Sequence, residues 1–316
     1  MIVTMVSMML PVVLTVAFGV LAGWHHDENM RAADAFGRML LVYALPLSLF
    51  TSTAVLPLDI LLDYWPLVVV LLGATLGPYL VALLCARWLF RRPLAESVLQ
   101  ALGFATPSVI SGLPILTSLV GDKASIVVLV GALISNIVTV PLTLVLLVLA
   151  REREPGATVG QAAIGALKHA FSQPIVWAPL LAIVVVLSGI HLPEQIVASS
   201  RLLGNTISGV ALFACGVILQ AQRPGFNKAA VVTTIARLLV IPGATLAMLV
   251  AIGAPHTLVI ETVPALGLPA GTILVLFAMR YNAGERENAA VLLYSSLFCI
   301  PTLSLFVWII GALSGS

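Results

Sequence analysis

Apolar residues fall into ten long runs parted by short polar stretches. The runs cover about Met5–Trp24, Phe36–Val55, Trp65–Phe90, Ala95–Val120 and Ala124–Ala150, then Pro174–Ile190, Leu202–Ala221, Ala229–Ile252, Thr257–Met279 and Ala289–Leu313. Each matches the roughly 17–25 residues that carry a helix across a ~30 Å hydrocarbon core. The pattern predicts an all-α membrane protein of ten transmembrane helices.

The charged residues between the runs support that count. Alternate connectors hold Arg31 and Arg38; Arg87, Arg91 and Arg92; Arg151, Arg153 and Lys168; Arg223 and Lys228; and Arg280 and Arg286. The opposite connectors hold only Lys123 and Arg201. One missed or invented span would scramble this alternation. Basic connectors stay in the cytoplasm, so the expected setting is a bacterial inner membrane crossed many times, with both termini outside, in the periplasm.

The polar connector 151–173 divides the chain, and Val159–Phe171 within it is expected to form an interfacial helix. Residues 1–150 and 174–316 then hold five spans each. Five is odd, so the halves run through the membrane in opposite directions as two inverted repeats. At a shift of about 160–164 residues Pro11 matches Pro174, Pro78 matches Pro242, Ser135 matches Ser295, and Ile137–Pro141 matches Leu297–Pro301. Inverted repeats are the building plan of many secondary transporters.

The fourth span of each half is the informative one. The first half carries Thr106-Pro107-Ser108, then Ser111-Gly112-Leu113-Pro114, and the second carries Pro264-Ala265-Leu266-Gly267-Leu268-Pro269-Ala270-Gly271-Thr272. Proline removes an intrahelical hydrogen bond and crowds the preceding turn. A freed carbonyl costs several kcal/mol in hydrocarbon, so such a break survives only where protein or a wet cavity satisfies it. Paired breaks in inverted halves point to a binding site near the midplane. The plain alternative is two proline kinks that serve packing.

Half-helix N-termini exposed at the breaks would attract anions. The hydroxyls of Thr106, Ser108, Ser111 and Thr272 could add donors, or could bond back to the carbonyl four residues earlier. Pro107, Gly112, Pro269 and Gly271 would shape the backbone of the site. Arg237 is the one basic residue deep inside a span, roughly 13 Å of helix rise from Lys228. Buried charges in membranes mark function by default, and a guanidinium suits a carboxylate. Two readings of Arg237 stay open: contact with an anionic substrate, or service to backbone carbonyls freed at the ninth span. Asn136, in the middle of the fifth span, either faces the first break or glues helices together. Glu261 stands near the outer start of the ninth span.

Composition narrows the rest. Of 316 residues 60% are hydrophobic and 9% charged, against roughly 25% charged in a soluble domain. A net charge of +2 with no basic run gives nucleic acid no surface to bind. Cys85, Cys215 and Cys299 sit far apart in apolar runs, which suggests neither a disulfide framework nor a metal spacing, and no cofactor is expected. The N-terminus lacks a basic leader segment and a small-x-small cleavage site, so it reads as a retained first helix.

At the breaks the sequence resembles the auxin efflux carrier family. The stretch Ala265–Gly271 running on to Phe277-Ala278-Met279-Arg280-Tyr281-Asn282 is similar to that family's ninth-helix crossover and its Phe-Ala-x-x-Tyr-Asn segment. Gly112-Leu113-Pro114 resembles the fourth-helix crossover, Ala44-Leu45-Pro46 with Phe50 the second helix, Gly209–Phe213 the seventh, and Arg237 followed by Pro242 the eighth. Plant members carry Asn-Thr five residues before the Gly-x-Pro. This chain has Pro107-Ser108 there, so that asparagine's substrate role does not carry over.

The resemblance implies a bile-acid-symporter-like fold with broken crossover helices 4 and 9. It implies a scaffold of helices 1, 2, 6 and 7 that forms a homodimer, and a transport domain of helices 3–5 and 8–10 moving as an elevator. It further implies a small carboxylate substrate of the malonate or auxin class. A channel or a membrane sensor on the same scaffold is the first rival. A membrane enzyme is the second, although no paired aspartates or Ser/His cluster lies at depth.

Overall fold

The computed structural model describes residues 2–24, 37–55, 63–107, 121–151, 172–190, 192–221 and 227–314, with a few isolated positions between them. Helix α1 is Ile2–Gly23, and α2 is Leu45–Ala54. Helices α3, Trp65–Leu89, and α5, Ala124–Arg151, flank the short α4, Leu94–Ala105. In the second half α6 is Pro174–Leu187, α7 Glu194–Ala221 and α8 Lys228–Ala251. Helices α9, His256–Leu266, and α10, Ile273–Tyr281, precede α11, Glu285–Ser314. No strand occurs among the described residues.

Five of these helices are long and apolar enough to cross a membrane by themselves: α3, α5, α7, α8 and α11. Helices α4, α9 and α10 are much shorter because they are limbs of the two interrupted runs. The interfacial helix expected over Val159–Phe171 lies almost wholly outside the described residues.

Local chemistry sets the helix ends. Pro93 and Pro255 stand at the N-caps of α4 and α9, and the Asn227 side chain caps α8 by accepting from Ala230 N–H at 3.1 Å. Asn282 closes α10 in the left-handed region, φ 48° and ψ 47°, a conformation that asparagine tolerates better than most residues. Inside the helices, π turns at Leu40–Ala44, Ser135–Thr139 and Ala236–Val240 each end two residues before a proline: Pro46, Pro141 and Pro242. The proline ring crowds the carbonyl four residues back and offers it no N–H, so the helix widens by one residue over that turn.

Helix packing joins α1 to α7 most extensively, with α2 lying against both α6 and α7. Helix α3 packs on both α4 and α9, and α8 packs on α11, which also meets α1 and α7. Two ion pairs tie the second set across the sequence: Arg92 to Glu287 at 2.8 Å and Lys123 to Glu261 at 3.3 Å. One large apolar core, including Leu41, Leu102, Leu144, Ala211, Phe277 and Ala289, links the two sets. Two smaller cores are built from α3, α5, α8, α9 and α11, with Leu116 from between α4 and α5 and Leu268 from between α9 and α10.

Helices α1 and α7 touch at glycines. A Cβ on Gly216 would lie 2.1 Å from the Val16 carbonyl oxygen, and one on Gly19 2.1 Å from that of Phe213. Only hydrogen fits at this crossing. Gly216→Ala should therefore destabilise the protein by about 1–3 kcal/mol through overpacking. Gly209→Ala, on the same helix with open space around it, should leave stability unchanged or raise it by up to ~1 kcal/mol. Thermal unfolding of the two purified variants checks this, and equal behaviour would refute the close crossing.

Candidate functional site

Both interruptions follow from proline. Pro107 biases Thr106 away from helix, and Thr106 is extended at φ −95° and ψ 106°. Gly103, four residues before Pro107, thereby loses the N–H that its carbonyl would meet in a helix. In the other half, α9 stops at Leu266 and the chain runs irregularly through Gly267, Leu268, Pro269 and Ala270 before α10 resumes.

The two breaks meet. Gly271 N–H donates to the Thr106 carbonyl at 2.9 Å, and Pro107 pairs with Ala270 as in an antiparallel bridge. Ala270 N–H donates to Ser295 Oγ at 3.0 Å, and that hydroxyl donates onward to the Leu292 carbonyl at 3.1 Å. Arg237 takes up the opposite polarity. Its guanidinium donates to the carbonyls of Gly103 at 3.0 Å, Phe104 at 2.9 Å, Leu268 at 3.2 Å and Pro269 at 3.2 Å. The side chain is only 2% exposed, so these are charge-assisted bonds in a dry site.

Beside the crossing lies a cavity of about 210 Å³. Thr106, Pro107, Gly271 and Thr272 wall it from the breaks, and Ser135 and Asn136 from the π turn of α5. Ser48 and Ser52 of α2, and Gly204 and Ser208 of α7, form the facing wall. Two hydrogen bonds span it: Asn136 Nδ2 donates to Ser52 Oγ at 3.2 Å, and the Ser208 and Thr272 hydroxyls lie 3.5 Å apart. None of the described lining residues is charged.

Of the residues predicted from sequence, Thr106, Pro107, Asn136, Gly271 and Thr272 share this cavity. Pro269 and Arg237 do not line it; they hold the crossing behind it. Ser108, Ser111 and Gly112 lie outside the described residues. The Thr106 hydroxyl is committed to the Leu102 carbonyl at 2.6 Å, the back-bonding alternative. Glu261 is paired with Lys123. Sequence reasoning missed Ser48, Ser52, Ser135 and Ser208 as lining residues, because single hydroxyls on uniformly apolar helices carry no signal of direction.

A family model described as "Membrane transport protein" matches residues 4–307. The chain is 28% identical to the "Uncharacterized transporter YfdV" of Escherichia coli K12 over 305 residues, covering 95% of this chain and 96% of that one. Proteins of the same description from Escherichia coli O157:H7 and Shigella flexneri match to the same extent.

The crossing predicts a difference between adjacent serines. Ser295→Ala leaves the Ala270 N–H without its acceptor in a buried setting and should cost about 1–3 kcal/mol. Ser296→Ala removes only a hydroxyl bonded to Leu292 of its own helix and should change stability by less than about 0.5 kcal/mol. Chemical or thermal denaturation of both variants decides the point, with equal losses counting against the support assigned to Ser295.

Proposed function

We propose that this chain, which belongs to the membrane transport protein family (the auxin efflux carriers), is a secondary carrier of small organic carboxylate anions, of the malonate or auxin-like class, working by an elevator-type alternating-access motion. One observation carries the reading: two interrupted helices cross beside a small cavity of mixed polar and apolar lining, whose other wall comes from α2 and α7 of the first set of helices. Carriers of inverted-repeat design place their substrate at such a crossing.

Several features support the elements of this reading. Ten spans in two inverted halves, 1–150 and 174–316, account for the alternating charges and the paired breaks. The predicted transport domain, spans 3–5 and 8–10, corresponds to helices α3–α5 and α8–α11. Arg237 and the ion pairs Arg92–Glu287 and Lys123–Glu261 tie these together. The predicted scaffold, spans 1, 2, 6 and 7, corresponds to α1, α2, α6 and α7, and its outer faces would form the homodimer contact. In sliding, the two groups would part the Asn136–Ser52 and Ser208–Thr272 bonds, which a substrate can replace with its own acceptors.

Anion preference follows from the walls. Helix α10 begins at Thr272 and Ile273, both on the cavity surface, so the positive end of its dipole adjoins the space. Hydroxyls and the Asn136 amide add neutral donors, and among the described lining residues no carboxylate side chain opposes an anion. A volume of about 210 Å³ limits the substrate to a compact molecule.

On the predicted orientation, Ser52 and Gly204 lie toward the outer ends of their helices. Leu41, Ile218 and Ala289 close the packing on the cytoplasmic side. This supports an outward-facing arrangement, with the Arg280–Gln173 hydrogen bond at 3.0 Å acting as a tie between the two groups on that side.

Proteoliposome uptake of labelled small mono- and dicarboxylates tests the function. The reading predicts saturable uptake together with counterflow, and counterflow is what a channel does not show. Asn136→Ala and Thr272→Val should each raise the half-saturation concentration about 5–10-fold, the loss of one hydrogen bond of ~1 kcal/mol. Non-saturable flux without counterflow would contradict the carrier.

A further inference from the structure

Broken-helix carriers commonly hold a coupling cation with unwound backbone carbonyls and the C-terminal ends of half-helices. This chain offers such carbonyls on both breaks. Gly103 and Phe104 end α4, while Leu268 and Pro269 follow α9. All four point to one place, and the Arg237 guanidinium fills it. Half-helix C-termini carry partial negative charge, so two of them converging in a dry setting would repel without a cation between them.

We propose that Arg237 is a tethered cation: it occupies the carbonyl cradle in which a carrier of this design would hold a coupling metal ion, and so assembles the crossing without one. The inference rests on the carrier reading for the word coupling, but the geometry stands apart from it.

The π turn at Ala236–Val240 is the device that delivers the side chain. Pro242 widens α8 at that turn, and Arg237 sits on it, turned toward both breaks. Because Nε and Nη2 reach the second break while Nη1 reaches the first, a single rigid fork fixes their mutual position. A lysine supplies the charge but not the fork, since its ammonium is a point donor. Arg237 is accordingly a positioning residue. It sits behind the cavity wall, with its donors turned to the backbone.

The test uses purified full-length protein and reads thermal unfolding, which needs no substrate. The wild-type unfolding temperature should be the same in sodium, potassium and choline chloride at matched ionic strength. Arg237→Ala should lower it by about 10 °C, and roughly 10 mM methylguanidinium should restore at least about half of that loss, as a ligand of the folded state alone does. Tetramethylammonium, too bulky and without N–H donors, should restore nothing. Arg237→Lys should fall between wild type and Arg237→Ala.

An Arg237→Ala protein as stable as wild type, or one that no guanidinium compound stabilises, overturns the proposal. So does a wild-type protein whose unfolding temperature or uptake rate rises with sodium, by more than about twofold in rate. Should Arg237→Ala yield no folded protein, the wild-type cation series decides alone. Cation-insensitive protein that is rescued as described but carries no carboxylate would sink the carrier reading and leave the role of Arg237 standing.

Discussion

Lipid offers a peptide group nothing to bond with, and an unpaired N–H or C=O in hydrocarbon costs several kcal/mol. This chain nevertheless interrupts two of its helices with proline near their middles. Such a break frees carbonyls at the end of one half-helix and N–H groups at the start of the next. The way those groups are met determines much of the remaining architecture. Gly271 and Thr106 satisfy each other across the two breaks, Ser295 accepts from Ala270, and Arg237 donates to four carbonyls at once. Neither break is satisfied alone, so the halves of the chain are bound to one another at the point where both helices fail.

The same constraint makes the site. Irregular backbone cannot face lipid, so the crossing sits inside the protein. There the irregular strands cannot fill space as densely as helices, and a cavity remains beside them. Its walls mix neutral hydroxyls, an amide and the start of α10 with apolar side chains such as Leu45, Leu49 and Ile207. Among the described residues, two side-chain hydrogen bonds join the two groups of helices across it. Tight contacts such as Gly19 on Gly216 lie within one group. A sliding motion would spare those contacts, but besides the cavity bonds it would have to break the Arg280–Gln173 bond and shift the apolar packing of α1 and α7 on α11.

Much of this was legible in the residues, and the misses have a physical reason. Membrane helices must be apolar on both their lipid-facing and protein-facing sides, so the hydrophobic pattern gives their extent but not their rotation. Hence the five long spans and the breaks at Pro107 and Pro269 could be read directly. The inward direction of Ser48, Ser52 and Ser208 could not. Proline and charge were the informative letters. Pro46, Pro141 and Pro242 each distort the turn before them, and two of those turns aim Asn136 and Arg237 inward. That rotation depends on one extra residue per turn, which no periodicity count would supply. Of the two readings weighed for Arg237, the hydrogen bonds run to freed carbonyls. The family's asparagine, absent at Pro107, has no described counterpart on the first break.

The most direct measurement asks whether the two breaks touch. Pro107 and Ala270 oppose each other as in an antiparallel pair, where Cα atoms lie about 4.5–5.5 Å apart, within disulfide range. A protein with Pro107→Cys and Ala270→Cys, its three native cysteines replaced and a protease site placed in the 151–173 connector, would be oxidised in the membrane and then cut. The account predicts that the halves run as one band without reductant and as two with it. Halves that separate in both cases would contradict the crossing.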